Sequence, residues 1–353
     1  MKAVATAIDH PKNRRQSGDK AMKKSLLRVL DVMSGVMFWL LLLPVAIALA
    51  AMLASPFARA AYPDKPVQYI IPFPAGGESD LVARLQSELF KRKYNQWMIV
   101  VNRAGAGGAL VWGQLNSLPS DSHSIAGVNL PHIVLQPLEG NVQYKTEDIT
   151  AVYYYHFTPD AIVVSADSPY KTLDDLIKAA RANPGKISIA GSASFSAKHM
   201  ATERLNTLAK VKAMYLPYKC TGDLITAVIG QHVDAAMSYL PLAIQKKGKM
   251  RMLAIASEKR HPALPDVPTF KELGFNLVDG AYRGVGVPKS TPPEIQKKVS
   301  DLMAVLNRDP DMRKRLEDVG FELVDTPVDK IADFMKTKAP VYMQDAKAAG
   351  LLK

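Results

Sequence analysis

The chain has 353 residues, of which 48% are hydrophobic and 22% charged, and its formal net charge is +12. Its single cysteine, Cys220, excludes an intrachain disulfide, and the cysteine and histidines show no metal-ligand spacing, so we expect neither a metal nor another cofactor. The basic residues are spread along the chain without a dense run interleaved with aromatics, which excludes a nucleic-acid groove and leaves a mild preference for anionic partners.

The N-terminal segment has the pattern of a secretory signal. An uncharged run, Val32–Ala58, contains an apolar stretch at Phe38–Leu53 and ends in Ala58-Arg59-Ala60, a sequence of small residues that suits a cleavage site. The basic residues that precede the run are Lys20, Lys23, Lys24 and Arg28. We therefore predict that residues 1–60 are removed on export, that the mature chain begins near Ala61, and that it resides in the periplasm.

A retained membrane anchor is the alternative for this segment. Its 27 uncharged residues would span about 40 Å as a helix, enough to cross a hydrocarbon core. Five polar or helix-breaking residues dilute the run and favour cleavage: Ser34, Gly35, Pro44, Ser55 and Pro56. Without residues 1–60 the net charge falls to +6, and the remaining length of roughly 290 residues suits two lobes.

Beyond this segment, apolar runs of strand length alternate with helix-period segments, a pattern typical of an α/β fold. In the first part we predict four strands, at Pro66–Phe73, Trp97–Val101, Ser124–Val128 and Ala161–Val164. Two helices are predicted among and after them, at Leu81–Arg92 and Leu173–Ala182. Thr172 is the expected N-cap of the second of these helices.

The same alternation continues to the C-terminus. Four more strands are predicted at Ile187–Ala190, Ala213–Leu216, Ala235–Ser238 and Met252–Ala256. Helices are predicted at Ser196–Ala209 and Thr221–Ile229, and three more are predicted to begin at Thr291–Glu294, Asp309-Pro310 and Thr326-Pro327. Thr291 and Glu294 have the spacing of a capping box.

The turn after the first strand, Pro72–Asp80, places two glycines and a hydroxyl immediately before a helix. Gly76 and Gly77 permit close approach of the backbone to a ligand. The first N–H groups of the helix are unpaired and lie at the positive end of its dipole, so the turn predicts a carboxylate site. In the alternative, Ser79 or Asp80 only caps the helix and the glycines only form the turn.

A similar strand, polar loop and helix recur at Ala190–His199. Five side chains of this segment can bond a carboxylate through hydroxyl or charged groups: Ser192, Ser194, Ser196, Lys198 and His199. No Gly-x-Ser-x-Gly elbow and no partner acid identify a nucleophile here. His199 is equally compatible with a helix residue that bonds a neighbouring carbonyl.

Two further loops suggest other interpretations. Asn102–Gly108 follows the second strand, but Leu110 occupies the third glycine position of a dinucleotide-binding motif, so we predict a structural turn or rim loop. The segment Lys219–Asp223 lies between a strand and a helix and is a candidate binding loop. Cys220 within it is predicted to fill space rather than to react.

Seven short blocks follow one another over nearly the whole chain after residue 61. They are Tyr62-Pro-x-Lys65-Pro66, Pro72-Phe-Pro-x-Gly-Gly77-x-x-Asp80, Asn102-Arg103-x-Gly105-Ala106-Gly107-Gly108, Pro184-Gly185-Lys186, Pro217-Tyr218-Lys219, Leu264-Pro265-Asp266-Val267-Pro268-Thr269 and Gly284-Val285-x-Val287-Pro288. Each block alone is a modest signal, but seven in order are specific. Through these seven blocks the chain resembles the extracytoplasmic solute receptors of tripartite tricarboxylate transporters, also called Bug-type receptors.

The resemblance implies a type II periplasmic-binding-protein fold, in which two α/β lobes hold a small carboxylated ligand in the cleft between them. Lobe 1 would comprise residues 61–165 and 283–353, and lobe 2 residues 166–282. One loop of each lobe would grip the ligand carboxylate, partly through ordered water. The ligand-binding residues implied in this way are Phe73, Ala75, Gly76, Gly77, Ser79, Asp80, Ser192, Ser194, Phe195, Ser196, Lys198, His199, Lys219, Thr221, Tyr282 and Arg283.

We accordingly expect a monomeric receptor that binds an organic carboxylate by hinge closure, performs no chemistry, and presents its closed form to integral membrane permease subunits. A periplasmic sensor, held at the membrane by Val32–Ala58 beside a signalling partner, is one alternative. An exported hydrolase or lyase is another, although only His199 offers a general base.

Three segments depart from the family pattern. Pro119-Ser120-Asp121-Ser122-His123-Ser124 stands where relatives commonly have the turn Pro-Asp-Gly-Tyr-Thr. Cys220-Thr221-Gly222-Asp223 stands where relatives commonly have a glycine-rich loop, which alters the shape or polarity of that part of the cleft. Glu78 places an acid inside the presumed carboxylate loop. That acid either faces outward or recognises an amine or hydroxyl group of the ligand.

Overall fold

The computed structural model of the chain describes residues 62–121, 123–219, 221–246 and 248–352, together with Met22 and Met33. Apart from these two methionines, the predicted signal segment and its cleavage site lie outside the described residues, as does Cys220. Within the described ranges, no helix combines the length and the apolar character that crossing a membrane requires.

Ten strands build the sheet. They are β1 (Val67–Ile71), β2 (Met98–Asn102), β3 (Ser124–Leu130), β4 (Thr150–Ser165), β5 (Ser188–Ser192), β6 (Met214–Tyr218), β7 (Ala235–Tyr239), β8 (Met250–Ile255), β9 (Gly280–Val287) and β10 (Glu322–Pro327). Their order is β2-β1-β3-β9-β4-β7-β5-β6, with β10 and β8 also paired to β4. Strands alternate with helices along most of the chain, so the predicted α/β class is confirmed.

Ten α-helices accompany the sheet in the described part of the chain. They are α1 (Glu78–Tyr94), α2 (Ala109–Gln114), α3 (His132–Glu139), α4 (Leu173–Ala182), α5 (Ala197–Ala209), α6 (Thr221–Ile229), α7 (Leu240–Gln245), α8 (Pro293–Asn307), α9 (Pro310–Glu317) and α10 (Val328–Ala348). Apolar faces of α1, α8 and α9 bury one core cluster against β1. Those of α4 and α5 bury another against β4, β5 and β7.

The long strand β4 joins two halves of the sheet. Its residues 150–159 pair with β9, and β10 lies on the other side of this part. Its residues 160–165 pair with β7 and β8. The first half therefore carries β1, β2, β3, β9 and β10, and the second half carries β5 to β8. The division into two lobes that move against each other stays a prediction.

Local sequence signals set several helix ends. Thr172 is the N-cap of α4, where its hydroxyl accepts a hydrogen bond from Asp175 N at 3.2 Å and the Asp175 carboxylate accepts from Thr172 N, as predicted. Asp309 caps α9 with its carboxylate, which accepts hydrogen bonds from Asp311 N and Met312 N. The capping box predicted at Thr291 is wrong, because the N-cap of α8 is Pro292 and the Thr291 hydroxyl has no hydrogen-bond partner among the described residues.

The predicted strand Ala161–Val164 is only the end of the 16-residue β4, and β9 has no counterpart among the predicted strands. Both strands are almost wholly buried, so neither shows the alternation of a half-exposed strand. Gly284 permits their close pairing, since a Cβ at this position would collide with the Tyr153 carbonyl oxygen.

Asp279 forms a buried charge cluster immediately before β9. Its carboxylate lies 3.1 Å from Arg204 of α5, and the same guanidinium nitrogen lies 3.4 Å from Asp345 of α10. Burial, and then the nearby Asp160, raise the pKa of Asp279 from 3.8 to about 7, against the opposing effect of Arg204. An acid whose pKa is raised in the folded state binds its proton more tightly when folded. Stability should therefore fall as the pH rises from about 4 to about 7.

We expect Asp279→Asn to weaken the dependence of protein stability on pH. A shift from 3.8 to about 7 corresponds to about 4 kcal/mol across that pH range. The difference in free energy of unfolding, variant minus wild type, should therefore rise between pH 4 and pH 8. Urea unfolding at several pH values measures it, with Asp301→Asn, on an exposed ion pair with Lys297, as the control. A difference that does not change with pH would contradict this origin of the dependence.

Candidate ligand-binding site

Two adjoining cavities lie between the two halves of the sheet, where the parallel pairs β1 with β2 and β5 with β6 end. Ligands of open α/β sheets bind outside the carboxyl ends of the strands, which is this position. The larger cavity has a volume of about 440 Å³, within the range of small-molecule sites. Its lining residues are Pro72, Phe73, Pro74, Ala104, Gly105, Ala106, Gly107, Ala193, Pro217, Tyr218 and Lys219.

The smaller cavity, which we call the polar cavity for the charged and polar residues among its lining, shares Phe73 with the larger one. Its volume is about 30 Å³, similar to the space that one water molecule takes in the liquid. Both halves of the chain contribute to its lining, which consists of Phe73, Gly77, Glu78, Ser79, Asn129, His132, Ser192, Lys198, Thr221 and Arg283.

Glu78, the first residue of α1, is buried and paired rather than turned outward. One carboxylate oxygen accepts a hydrogen bond from Arg283 on β9. The other accepts from the Thr158 hydroxyl and lies 3.2 Å from His156 Nε2 on β4. Burial alone would raise the pKa of Glu78, but Arg283 and His156 outweigh it and lower the pKa to about 2. Glu78 is therefore ionised at neutral pH.

A second buried ion pair joins Lys198 of α5 to Asp160 of β4. Both side chains are almost fully excluded from solvent, and the remaining carboxylate oxygen of Asp160 has no hydrogen-bond partner among the described residues. His132, at the start of α3, adds no charge. Burial, followed by Arg283 and Lys198, lowers its pKa to about 3, so the imidazole is neutral at physiological pH. The polar cavity is therefore lined by two cationic side chains, Arg283 and Lys198, and by the Glu78 carboxylate, and Asp160 lies behind this lining as the partner of Lys198.

Several hydrogen-bond donors at the polar cavity are unused. Arg283 Nη1 is buried and has no partner within the described residues. The first backbone hydrogen bond of α1 runs from Leu81 N to Gly77 O at 3.0 Å. The preceding N–H groups, of Gly77, Glu78 and Ser79, lie at the positive end of the helix dipole. Such a set of donors suits the oxygen atoms of one anion. No group of three or more metal-binding side chains occurs in the described part of the chain.

The structure brings half of the predicted binding residues to the cavity walls. They come from both predicted loops, from the segment after β6 and from β9: Phe73, Gly77, Ser79, Ser192, Lys198, Lys219, Thr221 and Arg283. Gly77 and Ser192, one from each half of the sheet, line the same cavity.

The other predicted residues are Ala75, Gly76, Asp80, Ser194, Phe195, Ser196, His199 and Tyr282, and none of them lines either cavity. Asp80 orders the first loop, because its carboxylate accepts from Gly76 N at 2.9 Å and from Arg84. Ser196 is the N-cap of α5. His199 stacks on Tyr215 with ring centroids 4.2 Å apart and accepts from Phe195 N rather than bonding a carbonyl.

Sequence reasoning missed four polar residues of the site. Asn129 lies near the end of β3, and His132 is the first residue of α3. His156 and Asp160 belong to β4. A charged residue such as Asp160 directly before an apolar run was the available signal, because a charge in a buried strand requires a partner. His132 had no such signal, since its strand was predicted to end at Val128.

Comparison with known proteins adds the family context. Residues 82–341 match the model of the tripartite tricarboxylate transporter family receptor, TctC. Protein BugT of Bordetella pertussis (strain Tohama I) is 31% identical over 249 residues, which cover 69% of this chain and 76% of BugT.

Solved structures share the fold. The periplasmic binding protein BugD is 27% identical with a TM-score of 0.77, and the alignment covers 83% of this chain and all of BugD. R. palustris Rpa4515 with adipate is 25% identical with a TM-score of 0.77, over 82% of this chain and 98% of that protein. The predicted periplasmic-binding-protein fold is thus confirmed.

Proposed function

Since the chain belongs to the tripartite tricarboxylate transporter family of receptors, we propose that it binds a small organic carboxylate between the two halves of its sheet. We further propose that it delivers this ligand to the membrane permease subunits of such a transporter. Two of its relatives with solved structures are a periplasmic transporter and the periplasmic binding protein BugD, which supports a transport role. The adipate in the related R. palustris structure supports a carboxylate ligand.

One observation carries the choice of a carboxylate. Arg283 Nη1 is a buried donor with no partner among the described residues, and it borders the cavity where α1 begins. A buried, unpaired guanidinium N–H carries a desolvation penalty that an anionic oxygen removes. The N–H groups of Gly77 and Ser79 and the hydroxyls of Ser192 and Thr221 are the other donors we assign to this ligand.

We propose that the ligand acts by stabilising a closed arrangement of two lobes, residues 61–165 with 283–353 and residues 166–282. The donors belong to both lobes, so a ligand contacts all of them only when the lobes close. Its differential affinity for the closed form then shifts the population toward that form. The permease would bind the closed form.

We propose that the receptor acts in the periplasm after removal of residues 1–60. The length of the apolar run Val32–Ala58 favours a second candidate, a sensor that retains this run as an anchor. The mass of the protein recovered after export separates the two. Loss of residues 1–60 supports a freely diffusing receptor, and an intact N-terminus in the membrane fraction supports the anchored sensor.

Isothermal titration with a panel of monocarboxylates, dicarboxylates, tricarboxylates, aromatic acids and acidic amino acids tests the proposed function. Saturable binding of at least one acid, with one site per chain, is the expected result. The absence of binding to every acid of the panel would contradict it.

We expect Ser192→Ala to weaken binding of the best acid by about 1.5–3 kcal/mol, roughly 10- to 150-fold, because a hydrogen bond to a charged group is lost. Ser194→Ala is the matched control, since Ser194 belongs to the same loop but lines neither cavity. Titration of both variants measures the difference. Equal affinities of wild type and Ser192→Ala would remove this hydroxyl from the site.

A further inference from the structure

Three charged side chains line the smaller cavity and one, Lys219, lines the larger cavity, and this difference bears on the class of carboxylate. We infer that this receptor selects a monocarboxylate with an apolar body, rather than a dicarboxylate. The inference rests on the proposed function and narrows it. In this arrangement the carboxylate meets the polar cavity, and the apolar body occupies the larger cavity beyond Phe73.

Each cation at the polar cavity already has a buried carboxylate partner. Glu78 pairs with Arg283, and Asp160, whose pKa burial raises against the opposing effect of Lys198, pairs with Lys198. Glu78 stays ionised at neutral pH because Arg283 and His156 outweigh the effect of its burial on its pKa. The cavity still has unused hydrogen-bond donors that an anion can bind. The main ones are Arg283 Nη1 and the N–H groups where α1 begins. These donors suit one carboxylate and supply no excess positive charge for a second.

The larger cavity is mostly apolar. Three prolines, an aromatic ring on either side and several alanines form its walls. Lys219 is the only charged residue among its described lining residues, and its side chain is exposed to solvent. An ion pair with such an exposed lysine changes affinity by no more than about fivefold, since water screens it.

A second carboxylate in this cavity would lose its hydration without gaining a buried partner, and this loss is unfavourable. An alkyl or aromatic body would instead remove apolar surface from water against Phe73, Pro74 and Pro217. Each buried methylene is expected to raise the affinity by about fourfold. Apolar walls beside a polar cavity whose cations are already paired therefore favour acids with one carboxylate.

Hexanoate and adipate form a matched pair for the test, because both have six carbons and only adipate has the second carboxylate. Titration calorimetry of the exported protein should give hexanoate at least about tenfold higher affinity than adipate. Affinity should also rise from butanoate to hexanoate by about fourfold per methylene. Adipate binding as tightly as hexanoate, or more tightly, would overturn the inference and leave the proposed function standing.

Tyr218→Arg provides a second measurement, because it introduces a cation into the wall of the larger cavity. This variant should lower the ratio of hexanoate to adipate affinity by at least about tenfold. An unchanged ratio would show that the second carboxylate does not enter this cavity, which contradicts the assignment. Failure of every carboxylate to bind the wild type would instead reject the proposed function itself.

Discussion

Glu78→Gln is expected to lower the free energy of unfolding by about 3–5 kcal/mol at pH 7. The amide keeps the shape of the side chain and can still bond Thr158, but it leaves the Arg283 guanidinium buried without its counter-charge. An isolated buried charge is far more costly than the loss of an exposed ion pair. The effect should therefore be large although the substitution changes only one functional group.

The pH dependence of the same variant separates loss of charge from loss of packing. The pKa of Glu78 lies at about 2 in the folded protein, below its ordinary value of 4.5. A depressed pKa contributes stability that is complete above about pH 4.5 and is lost as the pH falls toward 2, by about 3 kcal/mol in all. The difference between wild type and Glu78→Gln should shrink as the pH is lowered from 5 to 3.

Urea unfolding monitored by circular dichroism provides both measurements. Glu317→Gln is the matched control, because Glu317 forms an exposed ion pair with Arg313 at 3.2 Å within α9. That variant should change stability by less than about 1 kcal/mol. A similarly small effect of Glu78→Gln, or a difference from wild type that is independent of pH, would contradict a buried ion pair at this site.

Gly107→Ala is expected to weaken ligand binding by about 5- to 150-fold, by preventing closure. Gly107, in the loop after β2, and Ala193, in the loop after β5, meet at the wall of the larger cavity. A Cβ on Gly107 would lie 2.7 Å from Ala193 Cβ, and neither methyl group can rotate away. Overpacking of this kind is unfavourable by about 1–3 kcal/mol. The contact with Ala193 acts only when the two loops meet, whereas a second contact, 2.8 Å from Gln136 Nε2 of α3, acts in either state.

Gly107 also has a positive φ of 62°, so alanine introduces backbone strain whether or not the ligand is bound. Gly185→Ala controls for this strain, because Gly185 has a φ of 73° and no atom lies within 4 Å of its added Cβ. Both variants should lose some stability, but only Gly107→Ala should lose affinity. Wild-type affinity in Gly107→Ala would show that binding does not bring these loops together.

Much of the fold could be predicted from local signals. The helix Leu173–Ala182 has the predicted ends, because Thr172 and Asp175 satisfy its first N–H groups. Eight of the ten described strands were also predicted at least in part, since they are short apolar runs between turns, whereas β9 and β10 were not. β4 was predicted only at its end and β9 not at all, because they are buried on both faces and pair with each other across more than a hundred residues of sequence.

The site was predictable only in part for the same reason. The two polar loops follow strands and precede helices, so their residues could be recognised from spacing alone. The ion pair of Glu78 with Arg283 joins residues 205 positions apart, and no local pattern indicates which charges meet. The roles of Ser196 and His199 were equally hidden, because a hydroxyl before a helix serves as a cap or as a ligand donor.

The most direct test of the account is a crystal structure of the protein with its tightest-binding carboxylate. We predict that the carboxylate oxygens lie about 3 Å from Arg283 Nη1 and from the N–H groups where α1 begins. The rest of the ligand should occupy the larger cavity, with the Gly107 and Ala193 loops in contact. A ligand bound away from Arg283, or held by residues of one half of the sheet alone, would contradict the account.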